Sequence, residues 1–285
     1  MAQVFRNDLS TFGTHAPRGA VARLLDMTRQ TSVSWAGKRQ AFLLRKIAVS
    51  QLYGRPLDVE TLGARMRLYP YNNVCERRIL FTPQYFDVAE RAFLEAHMTP
   101  NFTFIDIGAN VGAYTLFVAA RVGPDARILA IEPQPEIFER LVYNIRQNAF
   151  ATVKAIDCAV ADCDGEVTLF VDAKNRGETS MRFIRSDPQG VRIRATARAL
   201  ATIVADEGFT HIDAIKCDVE GGSDLILEPF LLGAEEALLP RFLIIERAPF
   251  RWSKTLANLL VDRGYARTLE TRSNLIFSRG LADPA

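Results

Sequence analysis

Residues 102–112, Phe-Thr-Phe-Ile-Asp-Ile-Gly-Ala-Asn-Val-Gly, read as a buried strand that ends on an acid, breaks into a glycine loop and opens a helix. That order constrains the fold more than any other stretch. It puts Asp106 at the carboxyl end of a parallel strand, where open α/β sheets bind their ligands, and Gly108 and Gly112 let a ligand approach the backbone. A second short apolar strand follows over Arg127–Glu132 and again ends on an acid. Glu132 lies 20 residues past Gly112, the interval at which Rossmann-like units place the carboxylate that accepts ribose hydroxyls.

The acids narrow the ligand. A carboxylate two residues before the first glycine repels a pyrophosphate but suits a molecule carrying an ammonium and a sulfonium. The loop spacing is G-x-x-x-G rather than G-x-G-x-x-G, and no Lys-Ser or Lys-Thr follows it to hold a nucleoside triphosphate. S-adenosylmethionine therefore fits better than NAD or ATP. The bland alternative is that each acid only caps a helix or sits in solvent.

Four stretches make the chain resemble the FkbM-type methyltransferase family: Phe104–Gly112, Ala130–Glu136, Ala159–Leu169 and Ile215–Gly221, the last containing Asp-Val-Glu-Gly. The likeness runs from about Tyr71 to about Ser278. It implies transfer of a methyl group from S-adenosylmethionine, usually to a hydroxyl oxygen. It also implies cofactor contacts at Asp106, Gly108, Asn110, Gly112, Glu132, Ala159 and Asp218. Gly222 and Ser223 depart from the family's pattern, in which a small residue and then an acid follow; the acid comes one place later, at Asp224.

The remaining elements predict an α/β class I methyltransferase fold: a Rossmann-like doubly wound sheet with an antiparallel last strand, a helical amino-terminal extension and an inserted β-hairpin. Helices are expected over Val111–Arg121, Pro135–Asn148 and Trp252–Arg263. Strands are expected over Val153–Ala159, Ile212–Cys217, Phe242–Ile245, Tyr265–Glu270 and Asn274–Ser278. Glu166–Val171 and Val191–Ala195 form the hairpin, and its polar tip, 172–190, reads as a binding loop or lid. The domain boundary falls between 98 and 99. Ahead of it the sequence predicts a mobile start to about residue 20, a helical stretch over Val21–Tyr53 interrupted near Gly37, strands at Met66–Tyr69 and Arg78–Phe81 around Asn72-Asn73, and a helix over Asp87–His97.

Chemistry should gather above the carboxyl ends of the strands. The catalytic candidates are Asp218, Glu220 and Lys216. Either carboxylate suits a general base for a hydroxyl; alternatively Glu220 caps the following helix and Asp218 bonds the cofactor's ammonium. Lys216, inside an apolar strand, is either paired with a carboxylate or aimed at a negatively polarised substrate atom. Glu246 facing Asp218 would offer oxygens to a divalent cation, which leaves a metal open. His15, His97 and His211 fall away from the strand tips and read as packing or surface residues.

Composition excludes some classes. The net charge of +2 does not advertise nucleic acid, and the four cysteines form no CxxC pair. With no apolar stretch typical of a secretory signal, a cytoplasmic enzyme is expected. The charge is uneven: residues 1–55 carry nine Lys/Arg and two Asp/Glu. Lys38, Arg39, Arg45 and Lys46 beside Trp35, Phe42 and Leu43 form a basic amphipathic stretch that could rest on an anionic membrane; packing against the domain or a second subunit is the preferred reading. The acceptor expected is a hydroxyl on a glycan, a glycolipid or a secondary metabolite. The alternatives are N-methylation and a non-catalytic cofactor-fold module that docks a partner or membrane.

Overall fold

The computed structural model describes residues 7–150, 152–171, 179–180, 191–247 and 253–280. In chain order the elements begin with α1 (Gly19–Arg29), α2 (Trp35–Ser50), β1 (Leu57–Thr61), β2 (Ala64–Leu68), α3 (Val74–Phe81) and α4 (Val88–His97). Then come β3 (Thr103–Ile107), α5 (Ala113–Ala119), β4 (Arg127–Ile131), α6 (Pro135–Arg146), β5 (Val153–Ile156), β6 (Ala159–Ala161), β7 (Gly165–Val171), β8 (Thr179–Ser180) and β9 (Val191–Ala199). The last are α7 (Leu200–Asp206), β10 (Ala214–Cys217), α8 (Ser223–Gly233), β11 (Phe242–Glu246), α9 (Lys254–Asp262), β12 (Tyr265–Glu270) and β13 (Asn274–Arg279).

The central sheet has the order β12-β13-β11-β10-β3-β4-β5. It is parallel from β11 to β5, and β13 runs antiparallel to β11. This is the doubly wound α/β fold with a reversed strand that the sequence predicts. Side-chain alternation splits the core in two. Phe102, Phe104, Ile128, Phe242 and Ile244 pack with α1 and with the α3–α6 helices on one face, while Ile105, Ile107, Leu129, Ile215 and Ile245 meet α7, α8 and α9 on the other. Asp106 shares the parity of Phe104, so it points to the α5 side. In register with it lie Lys216 on β10 and Ala130 on β4.

Several details differ from the sequence expectations, each for a local reason. Arg78–Phe81 is helical, because the Asn73 side chain accepts from the Glu76 amide and caps α3. The strand pair is instead β1 with β2, turned at Leu62-Gly63, both with positive φ. The expected third strand divides into β5 in the central sheet and β6 in a second sheet of order β6-β9-β7-β8, so the inserted hairpin is part of a four-stranded sheet. The helical break falls at residues 30–34, before Gly37 and not at it. Gly37 lies inside α2, where a Cβ would come 2.2 Å from the Ser32 carbonyl oxygen.

Segment 7–18 lacks periodicity because polar bonds, not an apolar stripe, attach it. Arg67, fully buried, forms a bidentate pair with Asp58 and donates to the carbonyls of Asp8, Ser10 and Thr11. Asn7 donates to the Glu136 carbonyl. Of the polar tip, only Thr179–Ser180 is among the described residues, pairing with Phe170 and Val171; 172–178 and 181–190 lie outside them. Among the described residues no helix is long and apolar enough to cross a membrane.

Candidate active site

The cleft opens at the carboxyl ends of β3, β4 and β10, with a free volume of about 1210 Å³ including its open mouth. The β3–α5 loop forms its floor. The Gly108 and Ala109 amides both donate to the Ile131 carbonyl at 3.0 Å, which locks the loop to the end of β4. Gly108 has φ +75, and a Cβ there would stand 2.1 Å from the Asp218 carbonyl oxygen. Only glycine lets β3 and the β10 loop approach so closely. Gly112 has φ +94, and a Cβ would press on Leu141.

Asn110, also in the left-handed region at φ +52, accepts from Asn73 Nδ2 at 2.7 Å and from the Val111 amide. The Asn110 amide donates to Glu132 Oε2, and the Gln134 amide donates to Oε1. Glu132 is buried at the tip of β4, and burial pushes its carboxyl up to about 7 despite those two amides; the charges of Asp106 and Asp218 add to the rise.

Asp106 is buried, and its Oδ2 accepts from the Thr115 amide and hydroxyl on α5, at 3.0 and 2.6 Å. Burial raises its pKa, with the Lys216 ammonium acting in the opposite direction. Lys216 Nζ lies 2.8 Å from Asp218 Oδ2 and 4.8 Å from the Tyr114 ring centre. Burial alone would lower the lysine, but Asp218 and Asp106 outweigh it and the pKa rises. Lys216 is therefore a fixed positive charge at neutral pH and not a base, the carboxylate pairing that its place in an apolar strand allows. Tyr114 is held in place by a bond from its hydroxyl to Asp87, which also pairs with Arg78.

Beyond β10 the chain turns through Glu220 at φ +52 and Gly221 at φ +86, and the Gly221 amide donates to Glu246 Oε2 at 2.8 Å. Asp218, Glu220 and Glu246 each bring one carboxylate oxygen to within 4.8 Å of the others. Hard divalent cations use oxygen sets of this kind, and the sequence pairing of Asp218 with Glu246 thus gains Glu220 as a third member.

Every cofactor-side residue named from the sequence except Gly112 lines the cleft, and so do Lys216, Asp218 and Glu220. Gly112 acts from behind the loop, in the α5–α6 contact. None of the three histidines is among the lining residues. His15 pairs with Asp8, His97 Nδ1 lies 2.7 Å from the Phe93 carbonyl, and His211 lies beside Thr103 and Asp213. Sequence reasoning missed the wall supplied by α3 and the segment after it: Asn73, Cys75, Arg78, Phe86 and Asp87. The signal was present in Asn73-Val-Cys-Glu76, an N-cap residue with Glu three places on, ahead of an apolar run.

The donor set fits S-adenosylmethionine. Five acids, Asp87, Asp106, Glu132, Asp218 and Glu220, line the cleft against two bases, Arg78 and Lys216, a balance that favours a cationic ligand. Two buried oxygens on lining residues, Asp106 Oδ1 and Gln134 Oε1, have no hydrogen-bond partner among the described residues. A ligand bearing ammonium and amino groups would satisfy them.

The family model for the methyltransferase FkbM domain matches residues 106–265. Methyltransferase sdnD of Sordaria araneosa is 26% identical over 215 residues, covering 65% of this chain and 79% of that protein. The 31-O-demethyl-FK506 methyltransferase FkbM of Streptomyces tacrolimicus is 26% identical over 181 residues, covering 53% of this chain and 67% of the relative. Among solved structures, the METTL16 MTase domain aligns at a TM-score of 0.47 with 15% identity, over 92% of each chain.

Proposed function

Because the chain belongs to the FkbM methyltransferase family, we propose that this S-adenosylmethionine-dependent methyltransferase acts on a hydroxyl oxygen of a small molecule: a glycan, a glycolipid or a secondary metabolite. The observation that carries the reading is the contact of Gly108 with the Asp218 carbonyl. It sets the Asp218–Glu220 carboxylates beside the glycine loop, where an acceptor hydroxyl and a bound cofactor would meet. That one relative is named for methylating 31-O-demethyl-FK506 supports an oxygen acceptor.

The bound cofactor supplies a methyl group on a sulfonium, which leaves as a neutral thioether. The chain's part is positioning and proton transfer. Glu132, fixed by two backbone amides, would accept the ribose hydroxyls, while Asp106 Oδ1 and Gln134 Oε1 would take ligand N–H groups. Lys216 occupies one oxygen of Asp218 and orients it. Asp218 or Glu220 would then receive the acceptor proton as the oxygen attacks in line, and holding the partners in near-attack alignment would supply most of the acceleration. Lys216 would stabilise negative charge developing on that oxygen.

Calorimetry with S-adenosylhomocysteine tests the cofactor half. Binding is expected, and Glu132→Ala should weaken it by about 1.5–3 kcal/mol, the scale of lost charged hydrogen bonds. Mass spectrometry of glycans, glycolipids and metabolites from a strain lacking the protein should reveal a missing O-methyl. A missing N-methyl would move the acceptor to nitrogen, and tight NADH binding without S-adenosylhomocysteine binding would overturn the reading.

A further inference from the structure

The outward face of α2 is neither the polar surface of a solvated helix nor a packed one. Its inner stripe consists of Gly37, Ala41 and Ala48. On the opposite side Trp35 is 74% exposed, Phe42 51%, Leu43 60% and Ile47 51%. Exposed large apolar residues are ordinary when scattered, but four at helical spacing on one face form a patch with a purpose. Arg39 and Lys46 are interleaved with them, and Lys38 and Arg45 flank the face. The Arg39 guanidinium lies 5.4 Å from the Trp35 ring centre and that of Arg45 4.5 Å from the Phe42 ring centre. No acid occurs between Asp26 and Asp58.

We propose that this face docks the protein on the surface of an anionic phospholipid bilayer. Aromatic and aliphatic side chains of this size insert at the boundary between headgroups and acyl chains, and the long basic side chains reach back to the phosphates. The uniform positive sign selects the partner: it is complementary to an anionic surface, and it disfavours a second copy of the same face by like-charge repulsion.

Sedimentation of the full chain with vesicles tests this. The protein should pellet with vesicles of equal phosphatidylglycerol and phosphatidylcholine at low salt and stay in solution with pure phosphatidylcholine. Arg39→Glu with Lys46→Glu should lower partitioning by about tenfold or more, as expected for basic residues at a charged membrane surface. Phe42→Ser with Leu43→Ser should lower it comparably, with the wild-type melting temperature retained because both positions are exposed. Vesicles should shift the tryptophan emission to the blue, and Trp35→Phe should remove that shift. No binding to the anionic vesicles at low salt, or binding unchanged in both double variants, would overturn the proposal. So would a concentration-dependent dimer that Phe42→Ser with Leu43→Ser dissolves, which would reassign the face to contact between copies.

Discussion

Two walls enclose the cleft, and different forces hold them. The wall built from β3, β4 and β10 is fixed by backbone: the Gly108 and Ala109 amides on the Ile131 carbonyl, the Asp218 amide on the Ile107 carbonyl, and glycines where a Cβ would collide. The wall built from the chain ahead of β3 is fixed by charged side chains taken out of water: Arg67 with Asp58, Arg140 with Glu76, and, partly exposed, Arg78 with Asp87. Backbone bonds survive most side-chain changes. A buried ion pair that loses one partner leaves a charge with nothing to offset it. The cofactor wall should therefore tolerate substitution except at its glycines, and the other wall should fail at single arginines.

Arg140→Met is the sharpest attempt to break that contrast. Arg140 is buried on α6, bonds Glu76 Oε1 at 2.5 Å, and reaches Glu136 and Asn7. Glu76, also buried, already has its pKa raised by burial, with Arg140 as the main opposing influence. Removing the guanidinium should cost about 3–5 kcal/mol in urea unfolding, the scale for a broken buried pair. A loss below about 1 kcal/mol, the range of exposed pairs, would mean that the two walls are held alike.

The contrast also explains what could be read in the chain. Strand-loop-helix over 103–119 and the acid tip of β4 announce themselves within some 30 consecutive residues, through an apolar run, glycine and an acid, so the sheet and the places of Asp106, Gly108 and Glu132 were legible, while Asn110 came only with the family resemblance. Asp218, on a strand of the same kind, was legible too. The other wall depends on partners far apart in sequence, such as Asn7 with Glu136 or Asn73 with Asn110. Arg78–Phe81 is a short apolar run that passes for a strand, and the Asn73 cap, a side-chain bond, starts the helix that contains it. The burial of Arg67 and Arg140 has no local signature, because an arginine stretch reads as surface until its carboxylate is found in another element.

Glu132 probes the cofactor wall by pH. Its native pKa, near 7, lies above the usual glutamate value of 4.5. Below pH 4.5 both native and unfolded chains hold the proton and the group contributes no pH dependence. Between 4.5 and 7 the unfolded chain releases the proton while the native one keeps it, so this group lowers stability as pH rises, by about 3 kcal/mol at most, and no further above 7. Glu132→Gln should flatten the stability profile in that window relative to the wild type, as followed by urea unfolding at each pH. Parallel profiles would place the raised carboxyl elsewhere in the cleft.

The smallest expected effect is at the seam between the walls, where Asp218 and Glu220 turn out of β10. If one of them takes the acceptor proton, replacing it with the matching amide should lower turnover about a hundredfold, the scale of general-base catalysis, while S-adenosylhomocysteine affinity changes little. Asp218→Asn keeps a hydrogen-bond acceptor for Lys216 but removes the charge that pairs with it, so a mainly orienting role for Asp218 would appear as a raised KM with kcat preserved. Glu220→Gln leaves the Lys216–Asp218 pair intact and separates the two roles. Adding a chelator to the same assay distinguishes proton transfer from cation binding at the three carboxylates: activity should persist with proton transfer alone, whereas loss restored by Mg²⁺ would make Asp218, Glu220 and Glu246 a metal site. Full activity in both amide variants would leave positioning by the two walls as the whole of the catalysis.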